Sequence, residues 1–335
     1  MFVAINYHYV RPSFEAPHPG IHGITPKQLE AQLCLLGRLG DFVSADQVAA
    51  AVRGERPLPE KAMLVTFDDG LKEQYIYAWP ILQRLGIPAL FFINTAPIAN
   101  QSISTVHKIH LLRAHISPPG FEHLVYQVAQ DNGLVIDPSR TASAAIAHYK
   151  YDTPTVARLK YVLNFVLNPS EVKIIIDAGF AAHFSDAEPE MSRHLYMSVD
   201  EVRALSAMGG VGSHAHEHVP LGLLEPEKSK DQLEKAALLL NEWTGQRPNA
   251  LSYPYGSKEA SSREVGQAAE VTGITYAFTM ERAGNPDMAT PLFLARFDNN
   301  DVPGGKAARW APEVFFEEMP HRQWYLTARI GGSFA

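Results

Sequence analysis

Two short stretches of this 335-residue chain carry side chains that could do chemistry together. The first is Met63-Leu64-Val65-Thr66-Phe67-Asp68-Asp69-Gly70, an apolar run ending in two adjacent carboxylates and a glycine. Such a run, closed by a turn signal, reads as a buried strand, and Gly70 lets the backbone turn sharply at its end. Carboxylates at the buried end of a strand are expensive unless something uses their charge. A metal ion and a proton would use it. Successive strand side chains point to opposite faces, so Asp68 and Asp69 are expected to do different jobs. The second stretch is Ser213-His214-Ala215-His216-Glu217-His218. Read as a helical turn, residues four apart share a face, with Cβ atoms about 5–6 Å apart. His214 and His218 can then grip one ion while His216 points elsewhere. With Asp69 they make two imidazoles and one carboxylate. Three protein ligands plus an open position for water is the pattern of a catalytic rather than a structural zinc site. The expected cofactor is a divalent metal, zinc first, with nickel or cobalt also suited to these ligands. The blander alternatives are a capping Asp at a strand-end turn and a solvated His-rich loop; the coincidence of the two stretches weighs against both.

The elements that must position these residues follow from periodicity. Strands are predicted over 2–7, 63–67, 89–93, 250–253, 274–279 and 292–297. Thr25 caps a helix with Pro26 at its first position and Gly40 beyond its end, and Ser44 opens a second that stops near Gly54. Residues 73–85 read as a helix kinked at Pro80, Ser198 and Glu201 form a capping box, and helices are expected over 226–243 and 258–271. Strands and helices that alternate in this way imply an α/β fold of parallel βα units, a (β/α) barrel of about seven strands with the helices outside. Function in such barrels collects at the carboxyl ends of the strands, which here carry His8, Asp68, Asp69, His214, Tyr253, Tyr255 and Arg296. The rhythm breaks over 96–196. Strand–helix connections are typically ~2–6 residues, so this segment is an insertion, and its apolar spacing makes it a mostly helical subdomain. The domain division is therefore 1–95 and 197–335 for the barrel and 96–196 for the insertion, which lies beside the active rim and would serve as a lid limiting substrate size or as an oligomer contact.

Composition narrows the class further. Apolar content of 46% and charged content of 19% describe a soluble globular protein with ample core. A net charge of −7 without any basic run argues against a nucleic-acid or anionic-membrane partner. No apolar stretch approaches the ~20 residues of a membrane span, and Met1 to His8 lacks the basic leader and cleavage site of a signal peptide. The expected compartment is cytoplasmic. The single cysteine, Cys34, excludes an internal disulfide; it sits among leucines in a helical stretch and reads as core.

Thr66-Phe67-Asp68-Asp69-Gly70 and His214-x-x-x-His218 resemble the first two motifs of the polysaccharide deacetylases, carbohydrate esterase family four, and Leu251-Ser252-Tyr253-Pro254-Tyr255-Gly256 resembles the third. The resemblance implies Asp68 as general base, Asp69, His214 and His218 as metal ligands, and the backbone N–H of Tyr255 as a holder of the oxyanion. It also implies removal of acetyl groups from N-acetylated sugars or O-acetylated xylan. The sequence departs from the family pattern twice. Ser252 stands where the third motif begins with arginine, and Leu294-Ala295-Arg296 stands where the last motif supplies a histidine acid. Arginine cannot shuttle protons, so His8, at the end of the first strand, is the candidate general acid. Arg296 is a candidate either to orient Asp68 or to bind a substrate carboxylate or phosphate. Tyr253 and Pro254 are candidate substrate contacts, with Tyr253 and Tyr255 able to stack on sugar rings. The expected function is metal-dependent removal of an N-acetyl group from an amino-sugar-containing glycan or precursor, the precursor being favoured for a cytoplasmic chain. The alternatives are hydrolysis of a cyclic ureide or imide on the same barrel, or a catalytically impaired glycan-binding relative.

Overall fold

In the strands of this protein, alternation decides what each side chain faces. The computed structural model describes residues 1–15, 18–137, 143–147, 153–184 and 187–325. Strands β1 (Phe2–Tyr7), β2 (Asp41–Phe42), β3 (Ala62–Phe67), β4 (Ala89–Ile93), β5 (Val211–Ser213), β6 (Ala250–Ser252), β7 (Tyr276–Phe278) and β8 (Arg296–Asp298) join in one sheet. Seven of them run in the order β7-β6-β5-β4-β3-β1-β8, all paired in parallel, with β2 added beside β3. The two ends of this order approach each other: the Leu294 N–H donates to the Ala277 carbonyl at 2.8 Å, and the Thr279 N–H to the Leu294 carbonyl at 2.8 Å. The result is a nearly closed, distorted (β/α) barrel.

Phe2, Ala4, Leu64, Leu90, Phe92, Ala250, Tyr276 and Phe278 form one buried cluster, inside the sheet. Their neighbours Val3, Ile5, Tyr7, Met63, Val65, Phe67, Phe91 and Ile93 form another with Leu29, Leu33, Leu82 and Leu205 of the surrounding helices. Burying a large apolar side chain stabilises by roughly 1.5–3 kcal/mol, so a one-residue slip of β1 or β3 would reverse both layers at great cost. The register Asn6↔Thr66 and Tyr7↔Phe67 is therefore firmly set, and the inward parity continues to Asp68.

Several elements differ from the sequence expectation. The helix expected over 73–85 begins as a π turn, Gln74–Ala78, before the α-helix Trp79–Leu85. Pro80 has no N–H and its ring crowds the carbonyl one turn back; the wider turn, closed by Trp79 N–H to the Gln74 carbonyl, absorbs this without a sharp kink. The helix expected from 258 starts at Arg263, where Ser262 caps it. The last strand begins only at Arg296, because Pro291–Phe293 forms a 3-10 turn. Cys34 is exposed, not core: on helix Pro26–Leu36 it lies off the buried face of Leu29, Gln32, Leu33 and Leu36.

The contacts divide the chain into two units. One comprises 1–12, 23–100 and 193–335; the other comprises 13–22 and 101–192. The second unit is helical, with Thr105–His115, Pro118–Asp131, Pro154–Tyr161 and Pro169–Phe184 burying Leu111, Leu112, Phe121, Val125, Ile175 and Phe180. Lys108, nearly buried in it, pairs with Asp177 at 2.7 Å and Glu188 at 3.0 Å. Among the described residues no helix is long and apolar enough to cross a membrane.

Candidate active site

At the carboxyl end of β3 the chain breaks its alternation. Asp68 keeps the inward parity, whereas Asp69 adopts a left-handed backbone with φ 79° and Gly70 follows at φ 65°. A non-glycine residue in that region is strained by about 1–3 kcal/mol and is held only where its surroundings enforce it. Ala215 (φ 59°), His218 (φ 51°) and Tyr255 (φ 63°) are the other cases near these motifs. Four of the six non-glycine residues with positive φ among the described residues thus fall in the three motifs, which marks this rim as the place where the fold stores strain.

Asp69 Oδ1 lies 3.4 Å from His214 Nε2 and 3.2 Å from His218 Nε2, and all three residues are buried. His214 Nδ1 lies 2.7 Å from the Ser252 carbonyl oxygen. A carbonyl only accepts, so that nitrogen carries the hydrogen, and a neutral ring then turns its Nε2 lone pair toward the Asp69 carboxylate. Two lone pairs face one another across a distance that a cation would bridge. Zinc–ligand bonds of about 2.0–2.1 Å at tetrahedral angles separate ligand atoms by roughly 3.3–3.4 Å, and the observed separations match. The residues present fit a divalent ion.

The histidines do not lie on a helical turn. Residues 214–218 are an irregular loop, tied to the end of β4. The His214 N–H donates to the Ile93 carbonyl, Thr95 N–H to the Ala215 carbonyl, and Ala96 N–H to the His216 carbonyl, at 2.9, 3.3 and 2.8 Å. Asn94 Nδ2 donates to the His216 carbonyl at 2.6 Å and Thr95 Oγ1 meets His216 Nδ1 at 2.9 Å. His216 is thus an anchor of the loop that carries the other two. Asn94 and Thr95 were not singled out in the sequence; a polar pair directly after the apolar run 89–93 was the available signal.

Asp68 sits in a buried network. Arg296 Nη1 and Nη2 donate to its two oxygens at 2.9 and 2.8 Å, Asn6 Nδ2 donates to Oδ2 at 3.0 Å, and so does Ser252 Oγ at 3.0 Å. Arg296 also donates to Ser252 Oγ at 2.8 Å and to Thr66 Oγ1 at 3.3 Å, and its guanidinium lies 5.7 and 5.8 Å from the ring centres of Phe92 and Phe278. Burial pushes the Asp68 carboxyl up. The charge of Arg296 and its hydrogen bonds lead the opposing causes, which outweigh burial and hold it at about 2. The carboxylate is ionised throughout the physiological range.

Three substrate-contact assignments need correction. Arg296 is 0% exposed and fully engaged with Asp68, so it cannot reach a substrate carboxylate or phosphate. It occupies an inward position on β8. Tyr253 is buried against Val265, Ala269 and Phe293, with its hydroxyl donating to the Leu292 carbonyl at 3.0 Å. The parity of Ala250-Leu251-Ser252-Tyr253 sends Ser252 inward and Tyr253 outward to the helix layer, and that alternation was readable. Pro254 is buried too. Tyr255 is 49% exposed, with its ring edge-on to His218 at 5.1 Å, and Gly256 beside it leaves no room for a Cβ against Met280. His8 is partly exposed at the end of β1.

This barrel with an Asp-His-His cluster belongs to a known class: the chain is a member of the polysaccharide deacetylase family, whose model matches residues 55–161 and 174–277, more than half of the chain. Among individual proteins, the chain is 40% identical over 91 residues to the poly-beta-1,6-N-acetyl-D-glucosamine N-deacetylase of Escherichia coli K12, a match covering 27% of this chain and only 13% of that protein. In fold it is similar to IcaB from Ammonifex degensii, at TM-score 0.54 and 18% identity over 94% of this chain and 93% of that one. It is also similar to the Streptococcus pyogenes deacetylase PplD, solved in complex with acetate, at TM-score 0.54 and 15% identity over 89% and 91% of the two chains.

Proposed function

We propose that this protein is a metal-dependent hydrolase that removes the acetyl group from an N-acetylated amino sugar within a glycan or glycan precursor. The observation that carries the reading is the meeting of Asp69 with His214 and His218, beside a second carboxylate, Asp68, gripped by Arg296. The relative in Escherichia coli acts, by its name, on a polymer of N-acetylglucosamine, which supports an N-acetylhexosamine as the acyl donor.

Asp69, His214 and His218 would hold the ion, zinc in the first place and nickel or cobalt in the second. A bound divalent ion of this kind lowers the pKa of water from 15.7 to about 7 and polarises a carbonyl. Asp68 accepts a proton from the water as its oxygen attacks the acetyl carbonyl carbon. The Tyr255 N–H would donate to the oxygen on which negative charge develops; a preorganised donor of this sort is worth about 2.7–4 kcal/mol in the transition state. His8 then donates a proton to the sugar nitrogen as the C–N bond breaks, releasing acetate and a free amine. The Tyr255 ring, exposed beside His218, is the surface on which a sugar ring would stack. Arg296 weakens the case for an impaired binding relative, because the guanidinium absent from Ser252's position reaches Asp68 from β8 instead.

The test is acetate release from N-acetylhexosamine oligomers of graded length and from nucleotide- or lipid-linked precursors, with and without chelator. Release abolished by chelator and restored by zinc is expected. A preference for short, precursor-like substrates would favour a cytoplasmic role, and a preference for long chains an exported one. Turnover of cyclic ureides alone, or glycan binding without acetate release, would overturn the proposal. His8→Gln is expected to lower kcat by about 10²-fold or more; near-normal kcat would remove His8 from the acid's role.

A further inference from the structure

Gln74 is completely buried, yet it contributes nothing to the apolar layers. Its Nε2 donates to two backbone carbonyls, that of His8 at 3.0 Å and that of Asp68 at 2.6 Å. These carbonyls belong to the next pair after the last register pair of β1 and β3, Tyr7↔Phe67. The ladder makes one more bond, from the Asp68 N–H to the Tyr7 carbonyl at 3.0 Å, and then fails. Asp69 turns left-handed at that point, and the strand ends. The two carbonyls lie just beyond that last rung, and a carbonyl left unpaired away from water costs roughly 1–3 kcal/mol. One amide group with two hydrogens satisfies both.

The amide can face only one way. Turned over, its oxygen would oppose two carbonyl oxygens. In the orientation present, Oε1 has no hydrogen-bond partner among the described residues, and the pair of carbonyl bonds outweighs that loss. The π turn that Pro80 imposes starts at Gln74, whose own carbonyl accepts the Trp79 N–H. The amide and the backbone of one residue therefore link three things: the end of β1, the end of β3 and the first turn of the following helix.

We infer that Gln74 is a positioning residue, a clamp that bridges the ends of β1 and β3 and fixes the backbone of His8 relative to that of Asp68. The inference rests on the roles proposed above for those two residues. It makes Gln74 a determinant of how the proton donor and the proton acceptor are spaced, without contact to substrate or ion.

Gln74→Met keeps the length and volume and removes both bonds; Gln74→Glu keeps the shape but opposes the carbonyls with a carboxylate. Both variants are expected to lower kcat by 10-fold or more, with KM and zinc affinity within about 3-fold of the parent. Leu82→Ala, on the same helix and buried in the outer layer, serves as a control of comparable instability, with kcat within 3-fold. Amide hydrogen exchange supplies a readout that needs no activity: in Gln74→Met, exchange is expected to rise at residues 8–9 and 68–70 and to stay unchanged at 62–66. Unchanged kcat in both Gln74 variants, a loss of zinc together with rate, or exchange that rises evenly along β3 would overturn the clamp. Failure of the parent protein to release acetate would instead sink the deacetylase reading, and the exchange pattern would still decide the clamp by itself.

Discussion

Each of the two units buries a cation against carboxylates, and the two pairs are built differently. In the barrel, the Arg296 guanidinium is 0% exposed, forks across both oxygens of Asp68, and fills its remaining donors with Ser252, Thr66 and the Thr279 carbonyl. In the helical unit, the Lys108 ammonium meets Asp177 and Glu188, which are 34% and 27% exposed, while Lys173 holds the other oxygen of Asp177. The ammonium is a point charge on a flexible stem; the guanidinium is a rigid fork that fixes the plane of the carboxylate it holds. Water reaches the carboxylates that meet Lys108. No water is needed around Arg296. The lysine pair ties helices together, whereas the arginine pair fixes the plane of the Asp68 carboxylate, and its cost in desolvation makes sense only if that plane matters.

Breaking the pairs should separate them. Arg296→Met leaves the Asp68 charge buried without its partner, and a loss of about 3–5 kcal/mol in unfolding free energy is expected, with acetate release falling more than 100-fold. Arg296→Lys should recover little of either, because one ammonium cannot span both oxygens. Urea unfolding and steady-state rates measure both; a Lys variant with parental rate would show that charge alone suffices.

The acid limb of stability sharpens the same contrast. Asp68 has a folded-state pKa near 2, below its ordinary 3.8, so its contribution is fully present above about pH 4 and is lost as pH falls toward 2. At one pKa unit per about 1.4 kcal/mol this amounts to about 2 kcal/mol. Asp177 is also held below its ordinary value: burial pushes it up, and the hydrogen bonds of Lys108 and Lys173 outweigh that. Its loss on acidification has the same sign, reduced by solvent. Thermal unfolding from pH 5 to 2.5 should therefore show a steeper fall for the parent than for Asp68→Asn; equal slopes would contradict it. Smallest of all, Lys108→Met is expected to cost about 1 kcal/mol and to leave kcat within 2-fold.

Much of this was legible in the sequence, and the limits are physical. Asp68-Asp69-Gly70 announced itself because an apolar run ending in two acids is costly without a use for them, and Asp69, His214 and His218 did converge into a group that could hold a metal. The loop shape around the histidines was not legible. It depends on tertiary bonds from Asn94 and Thr95 rather than on local propensity, and a spacing of four fits a left-handed loop as well as a helical turn. Arg296 stood 228 residues from Asp68, so its partner was beyond reach, although an inward parity with Ser252 small enough to make room hinted at it. Tyr253 was misjudged by looking at residue type and ignoring alternation. Gln74 carried no signal at all, since its task exists only where the ends of β1 and β3 meet in the folded chain.

The central claim is that Asp69 holds the ion and Asp68 does not. Chelator-stripped protein titrated with zinc, followed by metal quantification after gel filtration, tests it most directly. One equivalent per chain is predicted for the parent and for Asp68→Asn, and none for Asp69→Asn. A full equivalent retained by Asp69→Asn, or an equal loss in both variants, would contradict the account.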